Sequence, residues 1–231
     1  VGITLFLPLP SSPHLPLSPS LPPVPRFRYN DGRSLVQIRR KFVLKLYGGA
    51  RSRASIVQWY LEEIQVPYEF VLLDMQAGAH LEPDFLAINP MGKVPAIVDG
   101  EFKLWESGAI LMYLAEKHGH MPERLEQRAE IWQWILFANA TLGPGLFVES
   151  SRDREQRRLL TPLNERFQQQ PFILGDTFGV ADVGVGSILA YIPIMLKLDL
   201  SGYPAVMDYI KRMSERPAFH KAIGSRTRTS S

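Results

Sequence analysis

No cysteine occurs among the 231 residues. That absence removes four chemistries together: a disulfide framework, a thiolate zinc site, a cysteine nucleophile and a dithiol redox centre. Any sulfur chemistry must therefore come from a ligand. Charge of one sign is also scarce over most of the chain. The formal net charge is +3, but residues 1–40 hold five arginines against the single acid Asp31, and the other 191 residues sum to −1. A nucleic-acid binder needs a basic face on its folded part, and no aromatic-basic motif appears, so no nucleic-acid partner is expected. Long apolar runs are missing too. The most apolar stretch, 183–196, contains Pro193 and falls short of the roughly 20 residues of a membrane span, so it reads as a buried core helix and no membrane partner is expected.

What is present is the composition of an ordinary globular chain of one or two domains, 45% hydrophobic and 21% charged. The first 40 residues stand apart, with eight of the 19 prolines and no helical or strand period. They read as a disordered Pro-rich extension. Three roles compete for it: upstream sequence with no role of its own, an organelle transit sequence, or a ligand for a proline-reading domain. The segment is acid-poor, as transit sequences are, but its prolines oppose the amphipathic helix they use. The apolar run 3–10 is short and has no basic leader, so a secretory signal is not expected. These readings place the protein in the cytoplasm, or in an organelle if the extension is a transit sequence.

Order is expected from Lys41. Residues 42–47 read as a buried strand, Gly48-Gly49 as a turn, and Ser52 as a helix cap before Ile56, Val57, Tyr60, Leu61 and Ile64 at helical spacing. Residues 68–73 read as a second strand, which makes a βαβ unit with parallel strands. Strands over 94–98 and 102–105 flank the turn Asp99-Gly100, the signature of an antiparallel hairpin, and a helix over 107–117 ends at His118-Gly119. After Met121-Pro122 the pattern is helical only, with helices over 124–140, 152–169, 180–196 and 203–214 and with Pro204 and Pro217 as stops or starts. The fold class is therefore α/β plus all-α: a domain over 41–119, a helical domain over 124–224, and a tail over 225–231.

A small βαβ-ββα domain followed by a helical one, with Val94-Pro95 and then Glu106-Ser107, resembles the glutathione transferase superfamily. The match spans roughly 42–223 and rests on LYGGARSRAS (46–55), NPMGKVPAIVDGEFKLWESGAILMYL (89–114), LGDTFGVAD (174–182) and RPAF (216–219). The resemblance is to serine-type plant and bacterial members, the cyanobacterial chi-like group among them. The resemblance implies a thioredoxin-like N-terminal domain, an all-helical C-terminal domain and a homodimer. It implies glutathione as co-substrate, with no metal or organic cofactor.

Such a chain must hold a peptide with two carboxylates and an ammonium, and keep its thiol ionised. At a reference thiol pKa of about 8.5, about 3% is thiolate at pH 7; lowering it by about two units takes about 2.7 kcal/mol. By resemblance to serine-type members, Ser52 of Ser52-Arg53-Ala54-Ser55 donates to the sulfur; read from the residues alone, it caps the helix. One neutral hydrogen bond contributes about 0.5–1.5 kcal/mol and a helix terminus about 0.3–1, so Arg51 or Arg53 would have to supply the rest, unless both are merely solvated. Tyr47, at a strand end, is the second hydroxyl candidate and Ser55 the third. The resemblance makes Val94-Pro95 cis and offers the Val94 backbone to the cysteinyl unit. Glu106 and Ser107, where a strand gives way to a helix, suit the γ-glutamyl ammonium and carboxylate, or form a plain N-terminal cap. Lys93 and His80 match positions that bind the glycyl carboxylate in plant-type relatives, Lys93 standing where glutamine is common; as loop residues they also read as solvated. Gly179 stands at the cap of the buried helix, where Ser or Thr is usual in the family, and leaves Asp182 a structural role.

The implied activity is transfer of glutathione to a small hydrophobic electrophile, with peroxide reduction as a related outcome. Trp132, Phe137, Leu142, Phe147, Tyr191 and Met195 could line the electrophile's side, or belong to the core. The competing reading is a non-catalytic transferase-like binding or interaction module. Absence of cysteine disfavours thiol transfer through a protein thiol.

Overall fold

A computed structural model of the chain describes residues 43–196 and 198–224. The expected extension over 1–40 and the tail over 225–231 lie outside the described residues. Strand β1 (Leu44–Gly48) alternates buried and outward positions, with Leu44, Leu46 and Gly48 on the buried face. It pairs in parallel with β2 (Tyr68–Leu72), Leu46 opposite Phe70, and antiparallel with β3 (Ala96–Asp99), Leu46 opposite Ile97. Strand β4 (Phe102–Trp105) closes the sheet in the order β2-β1-β3-β4.

Helix α1 (Ala54–Glu63) joins β1 to β2, as the βαβ pattern requires. Gly48 belongs to the strand rather than to the turn, because it still pairs with Leu72. A Cβ there would lie 2.4 Å from that of Ala54 and 2.8 Å from the Phe70 ring, so only glycine lets strand and helix meet this closely. A 3₁₀ turn at Ala79–Leu81 and the short α2 (Pro83–Leu86) follow β2. Val94-Pro95 is cis and precedes β3, whose ladder starts at Ala96, two residues later than the expected 94. Helix α3 (Ser107–Lys117) is held to the hairpin by Asp99, which accepts hydrogen bonds from Tyr113 Oη (2.9 Å) and from Lys117. Partial burial raises the Asp99 pKa, but these two partners outweigh it and hold the carboxyl below its ordinary range.

The second half comprises α4 (Leu125–Phe137), α5 (Gly143–Phe147), α6 (Glu149–Gln169), α7 (Val180–Met195), α8 (Pro204–Ser214) and α9 (Pro217–Ala222). Three expectations are corrected here. The helix expected over 124–140 passes into a π turn at Ala138–Leu142, and α5, absent from the sequence reading, follows at once. Pro144 sits in the first turn of α5, where its missing N–H costs nothing. Likewise Pro217 starts α9, which the sequence reading also lacked.

Helix α7 is the axis of the core, with twelve of its sixteen residues buried. Its cap is built as the sequence suggests: Asp182 accepts from the Gly179 N–H (3.0 Å), and also from the Ile173 N–H (2.8 Å) and Tyr209 Oη (2.9 Å). The RPAF segment ties the halves together. Phe219 packs edge-on against the fully buried Trp59 of α1, at 5.1 Å between ring centroids. Arg216 donates to both oxygens of Glu63 (2.6 and 2.8 Å), and Glu63 also accepts from Trp59 Nε1.

Candidate active site

The turn after β1 is organised by one hydroxyl. Ser52 Oγ accepts from the Gly49 N–H (3.1 Å) and the Ala54 N–H (3.3 Å), and donates to the Gly49 C=O (3.0 Å). It thus receives a first-turn N–H of α1 while standing one residue before the cap position, which Arg53 occupies. Three residues on, the buried Ser55 donates to the Ser52 C=O (2.9 Å), and its Oγ lies 2.7 Å from Tyr191 Oη on α7. Either hydroxyl can be the donor in that second bond.

Arg53 reaches across to the helical half and donates to Oδ1 of Asn139, in the π turn. A Cβ on Gly108, one residue into α3, would fall 2.5 Å from Asn139 Nδ2, so glycine at that place makes room for the amide. Desolvation of the guanidinium at the cleft wall lowers the Arg53 pKa, and Tyr191 and Glu106 partly offset it.

The loop before β3 hangs on Asn89, which is almost fully buried. Its Nδ2 donates to the Lys93 C=O (2.7 Å) and its Oδ1 accepts from the Met91 N–H (3.0 Å), which fixes the path into Val94 and the cis bond. At the next junction Glu106 adopts φ +71°, an uncommon region for a side-chain-bearing residue. Among the described residues no side chain caps the start of α3, so its first N–H groups have no capping acceptor.

A cleft of about 1050 Å³ opens between these loops and the helical half. Arg51, Ser52, Arg53, Lys93 and Val94 line one side; Phe147, Ile188, Pro193 and Met195 line the other, with Tyr191 and Asn139 between. The sequence-predicted Ser52, Arg51, Arg53, Lys93 and Val94 therefore meet in one place, and Phe147, Tyr191 and Met195 join them. Glu106 and Ser107 lie at the start of α3 outside this lining, though Glu106 is close enough to Arg53 to act on its charge. His80 sits in the 3₁₀ turn, its Nδ1 buried without a hydrogen-bond partner among the described residues, and that turn's backbone packs against the 91–93 loop at Gly92.

Tyr47 is not brought to the cleft. It lies on the opposite sheet face from Leu46 and Gly48 and packs on Phe85 of α2, 5.8 Å between ring centroids. Leu142 is fully buried core, Trp132 lies under Arg128, and Phe137 packs edge-on against Trp134. The sequence reading missed Asn139. Its signal does not exist locally, because the π turn rotates the helical face by an extra residue and the partner is 86 positions away.

Fold and cleft together define a two-part chain, thioredoxin-like and then helical, that presents cations and hydroxyls on one wall and an apolar surface on the other. Residues 42–116 match the model of the glutathione S-transferase N-terminal domain and residues 149–217 that of the C-terminal domain. Disulfide-bond oxidoreductase YfcG of Escherichia coli K12 is 31% identical over 205 residues, covering 78% of this chain and 94% of the relative. Glutathione S-transferase GstB of the same organism is 31% identical, covering 71% of this chain and 88% of the relative. A glutathione transferase from Burkholderia graminis, solved with two glutathione molecules per subunit, superposes with a TM-score of 0.70 at 29% identity, covering 82% of this chain and 90% of that one. The chain belongs to the glutathione S-transferase family.

Proposed function

We propose that this protein is a glutathione transferase that holds glutathione as its thiolate beside Ser52 and adds it to an apolar electrophile. The observation that carries this reading is the cleft itself: Ser52, Arg51, Arg53, Lys93 and Val94 converge on one wall and face Phe147, Ile188 and Met195. Glutathione is the co-substrate and supplies the thiol that the cysteine-free chain lacks. The Val94 backbone pairs with the cysteinyl unit. Glu106 faces the γ-glutamyl ammonium, and Ser107 with the open end of α3 receives its carboxylate. Lys93, with His80 on the adjoining turn, takes the glycyl carboxylate. The sulfur then lies at the start of α1, where the helix terminus, the Ser52 hydroxyl and the two arginines all favour negative charge.

Isothermal calorimetry with glutathione, followed by a conjugation assay with 1-chloro-2,4-dinitrobenzene, tests this. Binding heat, thiolate absorbance near neutral pH and product formation are expected. Binding without thiolate or product would select a non-catalytic binding module instead.

A second reading is favoured by the name of YfcG and by the doubly occupied Burkholderia graminis protein. In a chain without cysteine, reduction of a disulfide draws both electrons from two glutathione thiols, giving oxidised glutathione and two product thiols. Formation of oxidised glutathione from two glutathione molecules as a small disulfide, or a peroxide, is reduced separates these outcomes from conjugation.

We assign the protein to the cytoplasm, with an organelle as the alternative should 1–40 act as a transit sequence. No helix among the described residues is long and apolar enough to cross a membrane. We also propose a homodimer. Met91 and Leu81 are each about 60% exposed on neighbouring loops, an apolar surface that a second copy would cover. Met91→Asp is expected to give monomers in sedimentation velocity where the wild type gives dimers; an unchanged dimer would remove Met91 from the interface.

A further inference from the structure

We infer that Asn139 is a positioning residue for the bound thiolate: its side-chain oxygen fixes the Arg53 guanidinium at the cleft wall beside Ser52, so that the helical half helps to set the acidity of a sulfur held by the other half. This rests on the glutathione-transfer reading and names what keeps one of its two arginines in place.

Left to itself, Arg53 would leave the cleft. It stands at the cap position of α1 on a long side chain, and burial of its guanidinium is opposed by desolvation, which depresses its pKa. A cation that spends its time in open water is screened and adds little to the field at the sulfur. A partner must therefore oppose that escape. The guanidinium donates to Asn139 Oδ1, 86 positions away in the π turn at Ala138–Leu142, and both residues line the cleft with Ser52.

The place of the amide is prepared from two sides. A guanidinium has donors only, so the oxygen of Asn139 faces Arg53 and Nδ2 faces away from it. On that far side stands Gly108, the second residue of α3, where a Cβ would lie 2.5 Å from Nδ2 and 3.1 Å from the Ile135 side chain. Any other residue there would push the amide off its line to Arg53. Glycine is a poor helix former, and at this place it leaves the room that the amide occupies. The π turn makes the complementary adjustment, because its wider winding shifts Asn139 out of the register that α4 would otherwise continue.

A merely structural latch between the halves is the competing role, and the choice of acceptor argues against it. The halves are already tied by Arg216 on Glu63 and by Phe219 on Trp59. A latch would be stronger with a carboxylate facing Arg53. That carboxylate, however, would cancel the positive charge beside the sulfur. A neutral amide holds the guanidinium and leaves its field intact. Arg51, Lys93 and Tyr191 also line this cleft, and the acid that acts on Arg53 is Glu106, at the start of α3. In the transfer reading Glu106 is engaged by the γ-glutamyl ammonium, which frees the field of Arg53 for the thiolate.

The test is the pH titration of thiolate absorbance at saturating glutathione in Asn139→Ala, Asn139→Asp, Arg53→Met and the double variant of Arg53→Met with Asn139→Ala. Arg53→Met should raise the midpoint by about half a unit, a change of about threefold in the ionisation constant. Asn139→Ala should raise it by most of that, and the double variant no further than Arg53→Met alone. Asn139→Asp keeps the bond but neutralises the cation, so its midpoint should rise at least as far. The KM for glutathione should stay within about twofold. Toward 1-chloro-2,4-dinitrobenzene, kcat should converge on the wild-type value at alkaline pH, where every bound thiol is ionised. A midpoint unmoved by Asn139→Ala or by Asn139→Asp, or an Asn139→Ala shift that persists without Arg53, overturns the inference and leaves glutathione transfer standing. A wild type that does not bind glutathione, or binds it without any thiolate signal, overturns the transfer reading beneath it instead.

Discussion

Asp182→Ala is expected to lower the unfolding free energy by about 3–5 kcal/mol, the size of effect seen when a buried polar network loses its acceptor. Asp182 is 1% exposed and is the common acceptor for the Ile173 N–H, the Gly179 N–H and Tyr209 Oη. Ile173 and Tyr209 are themselves fully buried, so alanine would strand the Ile173 N–H out of reach of water and leave Tyr209 Oη only its long contact to the C=O of residue 182, at 3.5 Å. A buried donor left unsatisfied costs about 1–3 kcal/mol. Asp182→Asn should fall between the two. Its carbonyl can still serve Ile173 and Tyr209, but its amide would point a donor at the Gly179 N–H. Urea unfolding followed by tryptophan fluorescence ranks the three proteins, and a cost below about 1 kcal/mol for alanine would deny Asp182 this role. Burial raises the Asp182 pKa against the pull of the three donors. A raised folded-state value means stability is lost as the group ionises. The gap between wild type and Asp182→Ala should therefore be widest below the ordinary aspartate value of about 4 and narrow as pH rises through the raised one.

Asp182 also illustrates how much of the molecule is legible in its sequence. Gly179 and Asp182 are three residues apart, and a cap is a local device, so the start of α7 could be read without a structure. The same holds for the β3–β4 hairpin, signalled by Asp99-Gly100, and for the βαβ unit, whose periods change where its elements do. The short helices α5 and α9 were not legible, because a proline has two uses. Gly143-Pro144 and Pro217 each stand in a first helical turn, and a sequence alone cannot tell a stop from a start when the missing N–H would be unpaired in both.

The site divides along a similar line. Arg51, Ser52, Arg53, Lys93 and Val94 lie on two loops whose motifs are short and continuous, and they line the cleft as those motifs suggest. Tyr47 could be weighed but not oriented, because strand alternation gives its face relative to Leu46 and not which face looks toward the cleft. Asn139 and the Ser55–Tyr191 pair depend on contacts spanning 86 and 136 positions, which only the packing of α1 against the helical half creates. Electrophile-side residues are thus the least legible: Phe147, Tyr191 and Met195 reach the cleft, while Trp132, Phe137 and Leu142 have the same composition but face other helices or the core.

Ser52→Ala is expected to raise the pKa of bound glutathione by about one unit and to lower kcat/KM at neutral pH about tenfold, which corresponds to about 1.4 kcal/mol. A hydroxyl donating to an anion contributes about 1.5–3 kcal/mol, more than the 0.5–1.5 of a neutral pair. The Ser52 proton, however, already has an acceptor in the Gly49 C=O at 3.0 Å. Turning it to the sulfur gives up that bond, so the net gain falls at or just below the lower end of the anionic range. The remainder of the roughly two-unit lowering needed for a mostly ionised thiol must come from the start of α1 and from Arg51 and Arg53, and the variant should retain that part. Alanine also removes the acceptor used by the Gly49 and Ala54 N–H groups, which would loosen the turn whether or not the hydroxyl meets the ligand. Ser52→Thr keeps both functions and should restore the titration, whereas Tyr47→Phe, with its ring packed on Phe85, should leave it at the wild-type midpoint. The decisive measurement is the pH titration of thiolate absorbance at saturating glutathione. A midpoint unmoved by Ser52→Ala would assign the serine to the turn alone and leave the arginines and the helix terminus as the source of the acidity.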